Sequence, residues 1–182
     1  MNSPTPTEQA RAEALHKLHQ LVTDINFAML TTVDEEGRLR SRPMSTLQFD
    51  TQAGELWFFT AEHSGKTEEI AHDRNVGLSY ASPGKQDYVS ISGRARLVHD
   101  KAKMAELWTP MAKLWFPQGL DDPRLTLLCV EIEAAEYWDS PSGMMVALFG
   151  LAKLALTGKP PKNTGEHAHL DRPIVRPSRC SL

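Results

Sequence analysis

Six strand-like segments separated by polar turns and short helices predict a mainly β, α+β fold: a closed or nearly closed six-stranded antiparallel barrel. Three observations carry this. Segments 27–33, 38–49, 55–60, 76–81, 88–98 and 125–138 alternate with period two or run short, apolar and aromatic. The turns between them, such as D-E-E-G-R and S-P-G-K-Q, are polar and glycine-bearing. Gly93 interrupts one of the longest strands, as a residue at a barrel corner does.

The elements follow in order. Leu15, Leu18, Leu21, Val22 and Ile25 recur at helical spacing, so a helix opens the chain. Strands 27–33, 38–49 and 55–60 come next, and a helix over 65–72 follows the third. Strands 76–81 and 88–98 precede a helical stretch, 101–115, that Pro110 breaks. The last predicted strand is 125–138. The stretch 144–156 is apolar nearly all round, with Lys153 its only charge, and Gly158 with Pro160 and Pro161 ends it. It is too short to span a bilayer. A helix apolar on every side must be buried on more than one face, which predicts packing against a second subunit. The expected organisation is a disordered N-terminus over 1–8, one domain over 9–158 and an extended or mobile tail over 159–182.

Composition narrows the function. With 182 residues and a formal net charge of −3, the chain suits one soluble domain without a basic run for nucleic acid. The N-terminus lacks the basic-then-apolar layout of a signal peptide, so a cytoplasmic setting is expected. Cys129 and Cys180 form no metal-ligand or C-x-x-C spacing; Cys129 is expected in the core and Cys180 free. His16 with His19, and His167 with His169, lack a third ligand nearby and read as surface histidines, so no metal is expected. No Ser–His–Asp order, paired-carboxylate signature, Walker motif or Rossmann glycine motif is present.

Two neighbouring stretches suggest an anion site. In E-L-W-F-F-T-A-E-H-S-G-K-T-E-E-I, a strand runs into a helix whose N-cap is Ser64. Gly65 permits close approach to the backbone, and Lys66 adds a cation to the free N–H groups and positive dipole end of the helix. An ordinary capped helix with a solvated lysine would read the same way. In R-L-R-S-R-P-M-S-T-L-Q-F, alternation puts Arg40, Arg42, Met44, Thr46 and Gln48 on one face and Ser41, Pro43, Ser45, Leu47 and Phe49 on the other. An edge strand kept soluble by charge would explain the arginines but not Met44 or Pro43.

These stretches, with Y-V-S-I-S-G-R-A-R-L-V, K-L-W-F-P-Q-G-L-D-D-P, A-E-Y-W-D and G-K-P-P, resemble the FMN-binding split barrels related to pyridoxamine 5′-phosphate oxidase. The similarity is greatest to the general stress protein 26 branch and covers roughly residues 10–165. It implies a Greek-key split barrel that binds FMN, with FAD or F420 as alternatives. It also implies a homodimer holding the flavin at or near the subunit interface. By the same resemblance, Arg40 or Arg42, Lys66 and Ser64 take the phosphate. Met44, Phe58, Phe59 and Thr60 border the ring, and backbone near Ser41, Pro43 and Met44 meets its polar edge. Trp115 and Trp138 cover it from the other subunit, although each also reads as a core or interface anchor. The implied activity is flavin-dependent oxidation or reduction of a small molecule. The alternatives are a flavin-storing or redox-sensing stress protein without turnover, and an F420-binding barrel. Pyridoxamine 5′-phosphate oxidases end in a substrate-binding segment bearing tryptophan and arginine. This chain lacks it, so vitamin B6 oxidation is not expected.

Overall fold

The first helix, α1 (Pro6–Ile25), forms on the apolar periodicity and buries Leu18, Leu21 and Val22. The computed structural model describes residues 6–139 and 166–171. The helix begins at Pro6, inside the stretch 1–8 read as disordered, where proline suits a first-turn position. It stops at Asn26, whose φ of 63° is left-handed and tolerated by asparagine, and whose N–H returns to Val22 O at 2.9 Å.

The strands are β1 (Phe27–Val33), β2 (Leu39–Ser45), β3 (Gln48–Asp50), β4 (Glu55–Ala61), β5 (Asn75–Ser82), β6 (Asp87–Val98), β7 (Leu125–Asp139) and β8 (Glu166–Asp171). Helix α2 (Gly65–His72) follows β4, and α3 (Lys101–Leu107) follows β6. Every ladder is antiparallel, in the order β2-β1-β5-β6-β7-β4-β3, with β8 added on β7. Long β7 takes β6 along one edge. Its other edge takes β4 over Leu125–Glu131 and then β8 over Ala134–Asp139.

The mainly antiparallel α+β class is as expected. The strand count and closure are corrected: eight strands lie among the described residues, and the ladder path stays open, with β2 and β3 at its ends. One reason is that 38–49 is two strands. At its corner Thr46 N–H donates to Asn26 O at 2.9 Å, and Leu47 N–H donates to Trp57 O at 2.8 Å, so the chain changes partner there. Continuous period-two alternation conceals that corner. The other reason is β8, in the stretch read as tail. The predicted helix over 144–156 lies outside the described residues.

Two cores result. The main one packs α1 against Ala28, Leu30, Met44, Leu56, Phe58, Leu78, Tyr80, Ile91 and Val130. On the reverse side of β4 and β7, Trp57, Leu127 and Cys129 pack under α3 with Met104, Leu107 and Phe116. These halves of β4 and β7 are therefore buried on both faces, which is why they read as apolar runs. Pro110 breaks the helical stretch as expected, at the start of a short 3₁₀ turn, Pro110–Leu114. Cys129 is a core residue, and burial pushes its thiol up to about 12, far from reactive ionisation.

Gly93 marks a bend, also as expected. The β6–β7 register shifts between Ser92 and Gly93, so Ser92 faces Ala134 and Gly93 faces Ile132. A Cβ on Gly93 would lie 2.3 Å from Glu131 O and 3.1 Å from Val130 Cγ1. Backbone cannot yield there as a flexible side chain would. Gly93→Ala is expected to cost about 1–3 kcal/mol or more in urea unfolding. Gly84→Ala, with open space around the added methyl, should stay within about 0.5 kcal/mol of wild type.

Candidate functional site

The site forms where β1 and β2 meet the start of α2. Leu30 lies opposite Arg42, Thr32 opposite Arg40 and Ala28 opposite Met44, so the two arginines and the methionine share the inward sheet face that alternation predicted. Ser41 and Pro43 share the outer face with Thr31 and Met29. β2 ends the ladder path, which is where a proline without an N–H belongs. Met44 is buried in the main core, whereas Arg42 stops short of it and turns to α2.

Ser64 is the N-cap of α2, with extended φ and ψ of −100° and 156°. Its N–H donates to Thr67 Oγ1 at 2.9 Å. The Thr67 and Glu68 amides return to Ser64 O at 2.9 and 3.1 Å. The amides of Gly65 and Lys66 are the first two of the helix and so have no acceptor within it. A methyl on Gly65 would meet nothing within 4 Å, so there is open space beside the first residue of the helix. Lys66 Nζ donates to Ser64 Oγ at 3.4 Å.

One turn on, Glu69 points back to the sheet. Its Oε2 accepts from Arg42 Nη2 at 2.7 Å and from the Thr32 hydroxyl, and Arg42 Nη1 donates to Thr32 Oγ1. The three side chains thus close a ring. Glu69 is 13 % exposed and Arg42 24 %. Burial pushes the Glu69 carboxyl up. Hydrogen bonds from Thr32 and Arg42, with the charges of Arg42 and Arg40, outweigh it and hold the group below its ordinary range. Lys66 is pushed down, first by burial and then by the charge of Arg42, with Glu69 opposing. Two cations therefore sit within electrostatic reach of each other at the start of α2, and the Glu69 carboxylate acts on both. This arrangement suits an oxyanion that accepts several charge-assisted hydrogen bonds.

Arg40 lies at the edge of the corner. It is exposed, with Nε 3.5 Å from Asp34 Oδ2. The remaining predicted residues are dispersed. Phe58 is wholly buried in the main core, while Phe59 faces the second core, 5.6 Å from Trp108 and 6.3 Å from Phe116 between ring centroids. Successive side chains of β4 alternate between faces, so the two rings do not line one slot. Thr60 is buried, and its Oγ1 has no hydrogen-bond partner among the described residues. Trp115 is exposed at the end of the 3₁₀ turn, and Trp138 is exposed on the outer face of β7 opposite Tyr88. Sequence reading missed Thr32 and Glu69. The available signal was Glu69 three positions after Lys66, on the same helix face. Among the described residues no three potential ligands cluster for a metal, and no helix is long and apolar enough to cross a membrane.

Residues 13–162 match the family model described as pyridoxamine 5′-phosphate oxidase like, and the chain belongs to that family. Protein bli-3 of Neurospora crassa is 29 % identical over 163 residues, covering 85 % of this chain and 78 % of that protein. Among solved structures, a candidate general stress protein 26 from Jannaschia sp. CCS1 superposes with a TM-score of 0.72 at 27 % identity, over 88 % of this chain and 99 % of the other. The general stress FMN/FAD binding protein of Xanthomonas citri gives 0.63 at 29 % identity, over 72 % and 92 %. The resemblance read from the motifs is thus confirmed at the level of the family and its general stress branch.

The polar ring has a pH signature. Glu69 is held below its unfolded value, so its contribution to stability is complete above the ordinary glutamate range. It is lost as pH falls through the lower folded value. Urea unfolding from about pH 6 to about pH 3 should show a shallower acid loss in Glu69→Gln than in wild type, with the two converging at the acid end.

Proposed function

We propose that this protein is an FMN-binding flavoprotein of the general stress type. In this reading Lys66, Arg42, Ser64 and the first amides of α2 hold the flavin phosphate. The observation that carries it is the placement of Lys66, tied to Ser64, within electrostatic reach of Arg42 at the start of α2, because neighbouring half-buried cations are stabilised by a shared anion. The donor set fits a phosphate: an ammonium, a guanidinium with donors to spare, a hydroxyl and backbone N–H groups. The Xanthomonas citri relative is named as binding FMN/FAD, which supports a flavin. The phosphomonoester of FMN, with its two charges, matches two cations better than a neutral riboflavin tail does.

Bound flavin would supply redox chemistry, and the protein would supply binding, orientation and exclusion of water. We read the activity as flavin-dependent oxidation or reduction of a small molecule, in the cytoplasm. Backbone of β2 from Ser41 to Met44 would hold the polar edge of the ring, and the buried Thr60 hydroxyl, which has no hydrogen-bond partner among the described residues, would be a further donor. Lys66→Ala should raise the FMN dissociation constant at least about ten-fold, the loss of one charge-assisted hydrogen bond. Lys101→Ala, a first-turn lysine of α3 that is exposed, should leave it unchanged. Wild type should bind riboflavin more weakly than FMN. Equal flavin fluorescence quenching by both ligands would defeat the assignment.

The protein is also proposed to be a homodimer. Phe27, Tyr88 and Trp138 share the outer sheet face and are exposed, as is Met29 one step along β1. Small uncharged Ser79, Ala81, Ser90 and Ser92 lie among them on that face. Glu136, opposite Ser90, adds one carboxylate to this otherwise apolar and small-residue face, which suits a second copy. Light scattering at micromolar concentration should give about twice the 20.3 kDa chain mass.

A further inference from the structure

We propose that Glu69 is a built-in competitor for the phosphate: it fixes Arg42 in place, yet offsets one of the two positive charges of the corner, and so keeps a bound flavin phosphate exchangeable. This rests on the flavin-phosphate reading above. The geometry separates the two roles. Arg42 spends one hydrogen bond from Nη1 on Thr32 and one from Nη2 on Glu69, which orients the guanidinium and leaves further N–H donors. Positioning needs only an oxygen acceptor at Glu69. Competition needs its negative charge. The carboxylate is mostly buried, joined to Arg42 and within electrostatic reach of Lys66 and of the exposed Arg40 at the edge of the corner, so solvent screens it little. An anion entering the corner shares both cations with it.

Glutamine retains the shape and one oxygen acceptor but carries no charge. Glu69→Gln should therefore bind FMN about ten-fold tighter than wild type, mainly through slower release, the scale of one removed charge interaction at a partly screened site. Riboflavin affinity should not change. Glu69→Ala removes the acceptor with the charge and should gain less than the glutamine variant. Thr32→Val keeps the charge and loses a tie, and should not bind tighter than wild type. Glu55→Gln, in the Arg96 ion pair on another part of the sheet, is the control and should match wild type. A purely structural role for Glu69 would weaken both flavins together.

The experiment is stopped-flow and equilibrium titration of these variants with FMN and riboflavin, beside thermal midpoints in inorganic phosphate. Equal or weaker FMN binding by Glu69→Gln, an equal gain for riboflavin, or a gain in Thr32→Val overturns the proposal. If wild type binds no FMN, the flavin reading fails by itself. The competitor role then stands or falls on phosphate, which should raise the midpoint of Glu69→Gln more than that of wild type.

Discussion

Backbone pairing along β7 is the constraint on which the rest of this structure depends. Fifteen residues of extended chain, buried on both faces over the first half, expose donors and acceptors on two edges that must all be paired. β6 satisfies one edge, and β4 followed by β8 satisfies the other. Each partner then recruits its own neighbours. Through β6 come β5, β1 and finally β2 with Arg42. Through β4 comes the turn into α2 with Ser64 and Lys66. The corner is thus assembled from chain that arrives along both edges of one strand.

Backbone ladders never join the two arms, because β2 and β3 end the path. Side chains join them instead. Glu69 reaches Arg42, 27 residues earlier, and Thr32, 37 residues earlier. The polar ring therefore ties α2 to the β1–β2 hairpin. Such a tie has a different character from a ladder. It is electrostatic and it depends on ionisation.

That dual use creates a conflict within the site. In the proposed reading Lys66 and Arg42 attract an anion because their charges are incompletely balanced, and the same imbalance costs folding stability through burial and mutual repulsion. Glu69 lowers that cost, and on the proposed reading does so at the expense of affinity. The apolar cores on either side of β4 supply the stability that such a corner lacks. Phe58 and Phe59 each anchor one of them, so the aromatic pair that looks like a ring slot in sequence serves as the joint between two cores.

What could be read from sequence is what short-range chemistry dictates. Ser64 as a cap, Lys66 in the first turn, Pro110 as a helix break and Gly93 as a bend each follow from the residue and its immediate neighbours. Arg42 and Met44 on one face follow from strand alternation alone. The family followed from the order of such motifs. Tertiary structure decided the partners. Period two is the same in one long strand as in two short ones, so the corner at Thr46 and Leu47 left no mark. β8 became a strand because β7 had a free edge, not because of its own pattern. Arg40 and Arg42 look equivalent in sequence. Only the approach of Glu69 and Thr32, from 27 and 10 residues away, placed Arg42 in the corner while Arg40 turned to Asp34. Non-local charge pairing has no period, and for that reason it had to be seen in three dimensions.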